Sequence, residues 1–276
     1  MSHAPAELII EAGHTERNYW RDLFRYRELF YFLAWRDVLV RYKQTVIGIL
    51  WAVLRPLLTM VVFTFVFSRI AKLPSDGVPY PVMVFAAMLP WQLFATSLTE
   101  GSGSLINNSN LISKVYFPRL IVPASSVIVS FVDFAISMVL LIVIMAIYRV
   151  FPGVPMLMLP LFTVVALLAS AGAGIWLAAL NVKYRDFRYV VPFIVQFGLY
   201  VSPVGFSSGI VPEKWRLLYS LNPMVGVIDG FRWSVSNGRT PFPGQSLTFS
   251  LITIFFLLFT GIWYFRKTER TFADVI

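Results

Sequence analysis

The sequence predicts an all-α membrane protein with six transmembrane helices, an N-terminal amphipathic interface helix and an outer re-entrant helix pair. The 276 residues are 58% hydrophobic and only 13% charged, whereas a soluble domain carries about 25% charged residues. Apolar segments of bilayer length recur along the chain, and Lys and Arg gather in alternate connections between them. Helices are the simplest structure for such segments, because they satisfy their own backbone hydrogen bonds in lipid.

The six predicted spans divide the chain into two regions. About 20 apolar residues in a helix cross a hydrocarbon core of about 30 Å, and each segment reaches that length. The cytoplasmic tail and interface helix occupy residues 1–45, and the six-span transmembrane domain occupies residues 46–276. The spans are predicted at residues 46–70, 78–98, 120–148, 156–180, 189–210 and 247–265.

The net charge of +9 is explained by membrane topology. Most of the 23 Lys and Arg residues lie before the first span, after the last one, or in the second and fourth connections. Cytoplasmic loops carry an excess of these residues, so both termini of this multi-pass protein are predicted to be cytoplasmic. The same placement makes nucleic acid a poor partner and membrane lipids the expected surroundings.

Residues 17–42 form a predicted amphipathic helix ahead of the first span. At 100° per residue, apolar side chains share one face and most charged side chains share the other. Trp and Tyr favour the headgroup zone, so this helix is expected to lie in the membrane interface. The alternative is a solvated helix that packs on a soluble partner. The predicted apolar face comprises Tyr19, Trp20, Leu23, Phe24, Phe30, Tyr31 and Ala34.

Two ionisable residues fall inside predicted spans, where charge is rare and often functional. Arg55 precedes Pro56 in the first span, and it either lines a polar path or is buried against carbonyls at a helix kink. Asp133 lies near the middle of the third span. It is either a functional site or a structural hydrogen-bond partner of a neighbouring helix or subunit.

The second connection contains a predicted short helix at about residues 105–114. Its glycine-, serine- and asparagine-rich start runs into an apolar stretch that ends at Pro118. The apolar side chains form a face that is expected to point toward the cytoplasm and to contact a partner. These side chains are Leu105, Ile106, Leu111, Ile112, Val115, Tyr116 and Phe117.

The outer segment at residues 205–244 contains two apolar stretches that are too short to span a bilayer. They are predicted to be half-helices that enter the outer leaflet and return, with a break at Asn222 and Pro223. The alternative is a folded loop on the surface. Trp215, Asp229 and Arg232 are the other candidate residues of this pair.

Several kinds of chemistry are excluded by the residues present. The chain has no cysteine, and His3 and His14 are its only histidines, so thiol catalysis and a histidine metal centre are not expected. No phosphate-binding loop or metalloprotease motif occurs. The sequence therefore predicts no catalytic residue, no metal and no cofactor in this chain. If transport is driven by ATP, a separate subunit must hold the ATP and its Mg²⁺.

Four blocks of sequence resemble the membrane permeases of ABC exporters for polysaccharides and polyol phosphates. The blocks are RDVLVRYKQTVIGILWAVLRPLL, NNSNLISKVYFPRLIVP, LNVKYRDFRYVVPFIVQ and YSLNPMVGVIDGFR, at residues 36–58, 107–123, 180–196 and 219–232. This family includes O-antigen, capsule and teichoic acid export permeases. The resemblance implies a homodimer in the bacterial inner membrane, docked on two ABC ATP-binding subunits.

The resemblance also implies roles for particular residues. A coupling helix that rests on the ATPase would comprise Asn107, Asn108, Leu111, Ile112, Lys114, Tyr116 and Phe117. A translocation path beside the first and fifth spans would include Tyr42, Trp51, Arg55, Tyr200 and Phe206. Aromatic rings would offer sugars apolar contact, and an arginine would suit the phosphates of a lipid carrier.

The leading hypothesis is the transmembrane subunit of an ATP-driven exporter that moves a lipid-linked polysaccharide, O-antigen-like or related, across the bacterial inner membrane. Two alternatives stay open from the residues alone. One is an ATP-independent channel or secondary carrier, which the scarcity of intramembrane charge disfavours. The other is a membrane-embedded enzyme that transfers lipid-linked sugars, which the absence of a clustered carboxylate or histidine site disfavours.

Overall fold

The computed structural model describes residues 19–43, 48–75 and 77–272. Every regular element in these ranges is helical, which confirms the predicted all-α class. The N-terminal tail with His3 and His14, and the first residues of the predicted first span, lie outside them. The α-helices are α1 (Tyr19–Arg25), α2 (Arg27–Lys43), α3 (Gly48–Phe63), α4 (Tyr80–Asn107), α5 (Ser109–Lys114), α6 (Ile121–Ile147), α7 (Leu159–Lys183), α8 (Phe187–Val201), α9 (Glu213–Ser220), α10 (Val225–Val235) and α11 (Gly244–Thr268).

Short non-α turns extend several of these helices. A π-helix over Thr64–Ile70 continues α3, a 3₁₀ turn at Val154–Met158 leads into α7, and another at Glu269–Thr271 continues α11. With these extensions, five helices of the described chain are long and apolar enough to cross a membrane. They are Leu50–Ile70, Tyr80–Asn107, Ile121–Ile147, Val154–Lys183 and Gly244–Thr271.

The fifth predicted span, at residues 189–210, has a different structure. Helix α8 is apolar but ends at Val201 after 15 residues, which corresponds to about 22 Å at 1.5 Å per residue. Pro203 follows the extended Ser202 (ψ 151°), and a residue before proline is disfavoured in the helical conformation. The chain then turns through residues 202–207 instead of continuing as a helix.

The second span is longer than the sequence prediction. Helix α4 runs without interruption through Glu100 and the glycine- and serine-rich stretch to Asn107, so the predicted helix at residues 105–114 is divided at Asn108. Small residues explain this extension, because they let helices approach closely. A Cβ on Gly101 would lie 3.6 Å from the Ser126 hydroxyl and 3.8 Å from the Gly174 Cα. The stretch therefore continues a packed helix and is not a flexible connector.

Helix α4 is the centre of the bundle. It packs against α3, α6, α7, α8 and α10, and α7 packs in turn against α11. A second apolar cluster joins α1, α2 and the turn before α6 to the ends of α4, α7 and α11. We call this end of the bundle, which carries α5, the α5 end. At the opposite end the Arg239 guanidinium donates to the Gly77 carbonyl at 2.8 Å.

The predicted apolar face of the N-terminal helix is buried only in part. The helix is divided into α1 and α2 at Tyr26. Tyr19 and Ala34 are buried against the bundle, whereas Trp20, Phe24 and Tyr31 are exposed. Aromatic residues occur on every side of this segment, so contact with α6 and the C-terminal residues decided which ones are buried.

Candidate functional site

A cavity of about 520 Å³ lies between α2, α3, α4, α6 and α8. Its apolar part comes from leucine, methionine and aromatic side chains of the bundle. Its polar part is unusual for the interior of an apolar bundle, because polar groups in lipid need partners. The polar lining residues are Arg41, Tyr42, Arg55, Thr59, Gln92, Thr96, Thr99, Glu100, Ser130, Asp133, Ser137 and Gln196.

Helix α2 neutralises the carboxylate of Asp133. Arg41 Nη2 lies 2.9 Å from Asp133 Oδ2, and the Tyr42 hydroxyl donates to Asp133 Oδ1. Arg41 Nη1 also lies 3.6 Å from Glu100 Oε1, a more exposed pair that contributes little to stability. Asp133 is thus a hydrogen-bond partner of a neighbouring helix, and it also lines the cavity.

Burial raises the pKa of the Tyr42 hydroxyl well above its usual value, and the hydrogen bond and negative charge of Asp133 raise it further. A tyrosine is protonated at neutral pH even at its ordinary pKa of about 10, so the Tyr42 hydroxyl acts as the donor in its hydrogen bond to Asp133.

Arg55 differs from Arg41 in its surroundings. Its side chain is exposed, and among the described residues its guanidinium has no ion-pair or hydrogen-bond partner. Trp51 lines the cavity one turn earlier on the same face. Pro56 does not stop α3, which continues to Phe63. The interpretation of Arg55 as buried against carbonyls is therefore wrong, and a positive charge adjoins the cavity wall.

Helix α8 carries a row of exposed aromatic rings beside the cavity. Tyr189, Phe193, Phe197 and Tyr200 are 82%, 66%, 58% and 64% exposed, and the Phe193 and Phe197 rings are stacked with centroids 5.8 Å apart. At 100° per residue these four side chains span about 80° of the helix. We call them the aromatic stripe. Gln196 lies at its edge and also lines the cavity, so the cavity and the stripe adjoin.

The sequence prediction of a path found only part of this site. Tyr42, Trp51 and Arg55 do line one cavity, and Tyr200 belongs to the aromatic stripe. Phe206 does not line this cavity; it lies in the turn after α8, where its carbonyl accepts a hydrogen bond from Arg232. The prediction missed Tyr189, Phe193 and Phe197, although aromatic residues spaced by four, four and three positions were visible in the sequence.

The α5 segment is less exposed than predicted. Leu105, Ile112 and Phe117 are buried in the cluster at the α5 end, so the expectation that they face the cytoplasm is wrong. Asn107, Lys114 and Tyr116 are exposed, and Asn108 and Leu111 are half-buried. The apolar side of α5 holds the segment on its own bundle, and its polar side is available to a partner.

The outer segment contains the two predicted short helices, α9 and α10, on either side of Asn222 and Pro223. They differ in burial: Trp215 of α9 is half exposed, whereas Arg232 of α10 is buried and donates to the Val204 carbonyl at 3.1 Å. Asp229 is half-buried.

The break between α9 and α10 is bound to its neighbours by hydrogen bonds. Asn222 Nδ2 donates to the Ser202 hydroxyl at 3.0 Å. The Ser250 hydroxyl of α11 accepts from the Gly226 N–H at 3.0 Å and donates to the Asn222 carbonyl at 3.1 Å. Backbone groups that leave a helix at this break are thereby satisfied.

A bundle of apolar helices around a polar cavity is typical of membrane transport proteins. The family model of the ABC-2 type transporter matches residues 28–235, so the chain belongs to the ABC-2 type transporter family. The O-antigen export system permease protein RfbA of Klebsiella pneumoniae is 28% identical over 242 residues, which cover 87% of this chain and 92% of that protein.

Two further relatives also match most of the chain. The protein of the same name from Myxococcus xanthus is 28% identical over 259 residues, which cover 93% of this chain and 98% of that protein. The polysialic acid transport protein KpsM of Escherichia coli is 20% identical over 236 residues, or 85% of this chain and 91% of that protein. The matches extend over nearly the full length of all three proteins.

Proposed function

We propose that this chain is the membrane permease subunit of an ATP-driven exporter that carries a lipid-linked polysaccharide out of the cytoplasm across the bacterial inner membrane. Membership of the ABC-2 type transporter family and the similarity to O-antigen export permeases support this function. The observation that carries it is the aromatic stripe beside a cavity whose wall includes an arginine without a partner among the described residues. A channel, a secondary carrier or a sugar-transferring enzyme is not favoured by these relatives.

The chemistry of the site suits a glycan on a phosphate-bearing lipid. Stacked rings contact the apolar faces of sugars without a fixed hydrogen-bond geometry, so successive sugars of a polymer can be accepted in turn. Arg55 carries a planar guanidinium that can donate two parallel hydrogen bonds to a phosphate. The aromatic stripe would contact the glycan, and Arg55 would contact the phosphates of its lipid carrier.

The proposal includes a homodimer that closes around the substrate. Only 11% of the most apolar window of Leu50–Ile70 is buried, and Arg55 lies on this surface. Arginine is unfavourable against lipid. A second copy of the chain would remove α3 and α8 from lipid and enclose the aromatic stripe between two protomers.

The proposed topology has six membrane passes with both termini in the cytoplasm. Helix α8 and the turn at residues 202–207 would together complete the fifth pass. Helices α9 and α10 would then form the re-entrant pair, since α10 is buried among α4, α7 and α11. The α5 end would be cytoplasmic, because the basic connections predicted to be inside occur there.

A partner ATPase would bind at α5, two copies per dimer, and would hold the ATP and Mg²⁺. Lys114 and Tyr116 are exposed at this end, and they would contact a groove of the ATP-binding subunit. The other predicted coupling residues would position this contact. Ile112 and Phe117 would do so through their buried side chains. Asn107, Asn108 and Leu111 form the start of the segment, which is polar or half-buried.

Copurification with the ATPase tests this function. We expect the tagged chain to isolate a stoichiometric ATP-binding subunit, and Tyr116→Ala to weaken that association. Tyr148→Ala is the matched control, because Tyr148 is 44% and Tyr116 49% exposed but Tyr148 lies at the opposite end of the bundle. Polysaccharide transport by the lone chain in ATP-free vesicles would contradict the proposal.

A further inference from the structure

Asn108 is a hinge between the longest helix of the bundle and the α5 segment. Its backbone (φ −108°, ψ 23°) departs from helical geometry and separates α4 from α5. The Asn108 amide Nδ2 donates to the Ser104 carbonyl at 2.9 Å, which also accepts from the Asn108 backbone N–H at 3.1 Å, so the side chain is fixed against the end of α4. The amide oxygen Oδ1 faces away from α4 and is available to another element.

Arg36 of α2 binds that oxygen. Arg36 Nη2 donates to Asn108 Oδ1 at 2.9 Å. The guanidinium is oriented by the adjacent carboxylate, because Nε and Nη2 donate to Asp37 Oδ1 at 2.8 and 2.7 Å. A charged donor makes the stronger kind of hydrogen bond, and the orientation by Asp37 leaves the guanidinium less freedom to move away from the hinge.

An apolar contact accompanies this hydrogen bond one turn earlier on α2. Leu33 is buried in the same cluster as Leu105 and Ile112, which precede and follow the hinge. Helix α2 therefore shares an apolar cluster with both sides of Asn108 and binds Asn108 itself through Arg36, while its main packing partner is α6. A displacement of α5 by a partner would disturb all of these contacts.

The other end of α2 forms part of the cavity wall. Arg41 and Tyr42 bind Asp133, as described above, and lie five and six residues beyond Arg36. At 1.5 Å per residue this separation is about 8 Å. Because α2 is continuous from Arg27 to Lys43, about one and a half turns of unbroken helix join Arg36 to Arg41 and Tyr42.

We infer that α2 is the element that transmits movement of the α5 segment to the translocation cavity, with Arg36 and Asn108 as positioning residues. This inference rests on the proposed function, since it requires an ATPase at α5. When the ATPase moves α5, the Arg36–Asn108 contact draws α2 along, and the bonds of Arg41 and Tyr42 to Asp133 change. The state of the nucleotide thereby sets the shape of the polar wall.

The absence of cysteine from the chain allows a direct measurement at the cavity. Thr96 of α4 lines the cavity and is half-buried, so Thr96→Cys introduces a single thiol there. The complex of this variant with its ATP-binding subunit is treated with a small maleimide, with no nucleotide or with a non-hydrolysable ATP analogue. We expect the nucleotide to change the alkylation rate by about 5-fold or more, the lower range of typical coupling between sites.

Variants of the hinge contact decide the inference. In the Thr96→Cys background, Arg36→Ala is expected to abolish the nucleotide-dependent change while the ATPase remains bound. Asn108→Ala is expected to abolish the change as well. Asn108→Asp keeps an acceptor for Arg36 and is expected to restore it. Arg27→Ala is the matched control, because it removes an exposed positive charge from the first turn of the same helix and should leave the change intact.

The outcomes separate this inference from the proposed function. Failure to isolate any ATP-binding subunit would overturn the proposed function. A bound and active ATPase with no nucleotide effect on Cys alkylation would overturn the inference alone. So would a nucleotide effect that persists in both Arg36→Ala and Asn108→Ala. Because Arg36 is only half-buried, its alanine variant provides the test even if Asn108→Ala fails to fold.

Discussion

Two spans of this protein, α4 and α3 with its π-helical extension, are both apolar but differ in burial. The most apolar window of Tyr80–Asn107 is 78% buried, whereas that of Leu50–Ile70 is 11% buried, although the second has the higher mean hydropathy, 2.0 against 1.5. Hydropathy does not separate inside from outside in a bilayer, because lipid tails are as apolar as leucine.

Helices α10 and α8 repeat this contrast. Nine of the eleven residues of α10 are buried, whereas Val191 is the only buried residue of α8. The buried helices α4 and α10 carry small residues at their contacts, and the exposed helices α3 and α8 carry Arg55 and the aromatic stripe. We call the first pair the buried scaffold and the second pair the exposed wall. The scaffold holds the fold, and our proposal assigns the contact with substrate to the wall.

The largest expected effect comes from overfilling the buried scaffold. A Cβ on Gly226 would lie 2.5 Å from Leu247 Cα and 2.7 Å from Leu247 N, and backbone cannot move aside. Gly226→Val should destabilise the fold by about 3 kcal/mol or more, measured by thermal unfolding in detergent. Gly244→Val is the control, since a Cβ there has only ordinary contact at 3.6 Å. Equal stability of the two variants would contradict the burial of α10.

The exposed wall should respond in function and not in folding. Arg55→Leu is expected to reduce polysaccharide export in cells by about tenfold to a hundredfold, the equivalent of about 1.5 to 3 kcal/mol for a hydrogen bond to a charged group. Arg55→Lys should keep part of the activity, because it keeps the charge but not the planar geometry. Loss of folded protein in Arg55→Leu would show that the residue is structural and would contradict its assignment to the exposed wall.

A smaller effect is expected in the aromatic stripe. Phe193→Ala and Phe197→Ala should each lower export by about twofold to tenfold, since an aromatic contact contributes about 0.5 to 1.5 kcal/mol. Ile194→Ala is the control, because Ile194 is 39% exposed on the same helix but lies outside the stripe. If all three variants export equally, the stripe does not contact the glycan.

The smallest effect concerns Tyr19, which belongs to neither region and joins α1 to the C-terminal turn. Its hydroxyl donates to Glu269 Oε2 at 3.0 Å, and Arg266 lies 4.6 Å from its ring. Tyr19→Phe should cost about 0.5 to 1 kcal/mol of stability at neutral pH, measured by thermal unfolding.

The same residue predicts a pH dependence. Burial, and then the charge of Glu269, raise the pKa of Tyr19 above that of the unfolded chain, so its contribution to stability is complete below about pH 10 and is lost as the pH rises further. The wild type should lose stability above about pH 10 more steeply than Tyr19→Phe. Identical alkaline profiles would contradict the burial of this hydroxyl.

Much of the fold was predictable because span length and charge placement are properties of local sequence. The predicted spans at residues 120–148 and 247–265 agree with α6 and α11 to within a few residues. The errors arose where packing against a neighbouring helix overrode a local sequence pattern. A glycine- and serine-rich stretch resembled a loop, but it continues α4 because small side chains fit closely against α6 and α7.

The candidate site was less predictable. Arg55 and Tyr42 could be named from the resemblance, but the pairing of Tyr42 and Arg41 with Asp133 joins residues about 90 positions apart, and no local pattern encodes it. The burial of Phe117 and Ile112 was also missed. Apolar residues beside a membrane can face lipid, a partner or their own bundle, and the sequence gives the same signal for all three.

The sequence by itself determined that this is a helical membrane protein with bilayer-length spans and with Lys and Arg concentrated in alternate connections. The length of an apolar segment and the position of a charge are both local properties of the sequence. Only the tertiary structure decided that α4 lies at the centre, that Arg41 is paired with a carboxylate whereas Arg55 has no partner among the described residues, and that α2 contacts both Asn108 and Asp133. In lipid, the apolar surfaces of a helix are chemically alike, so packing alone selects which of them becomes the interior.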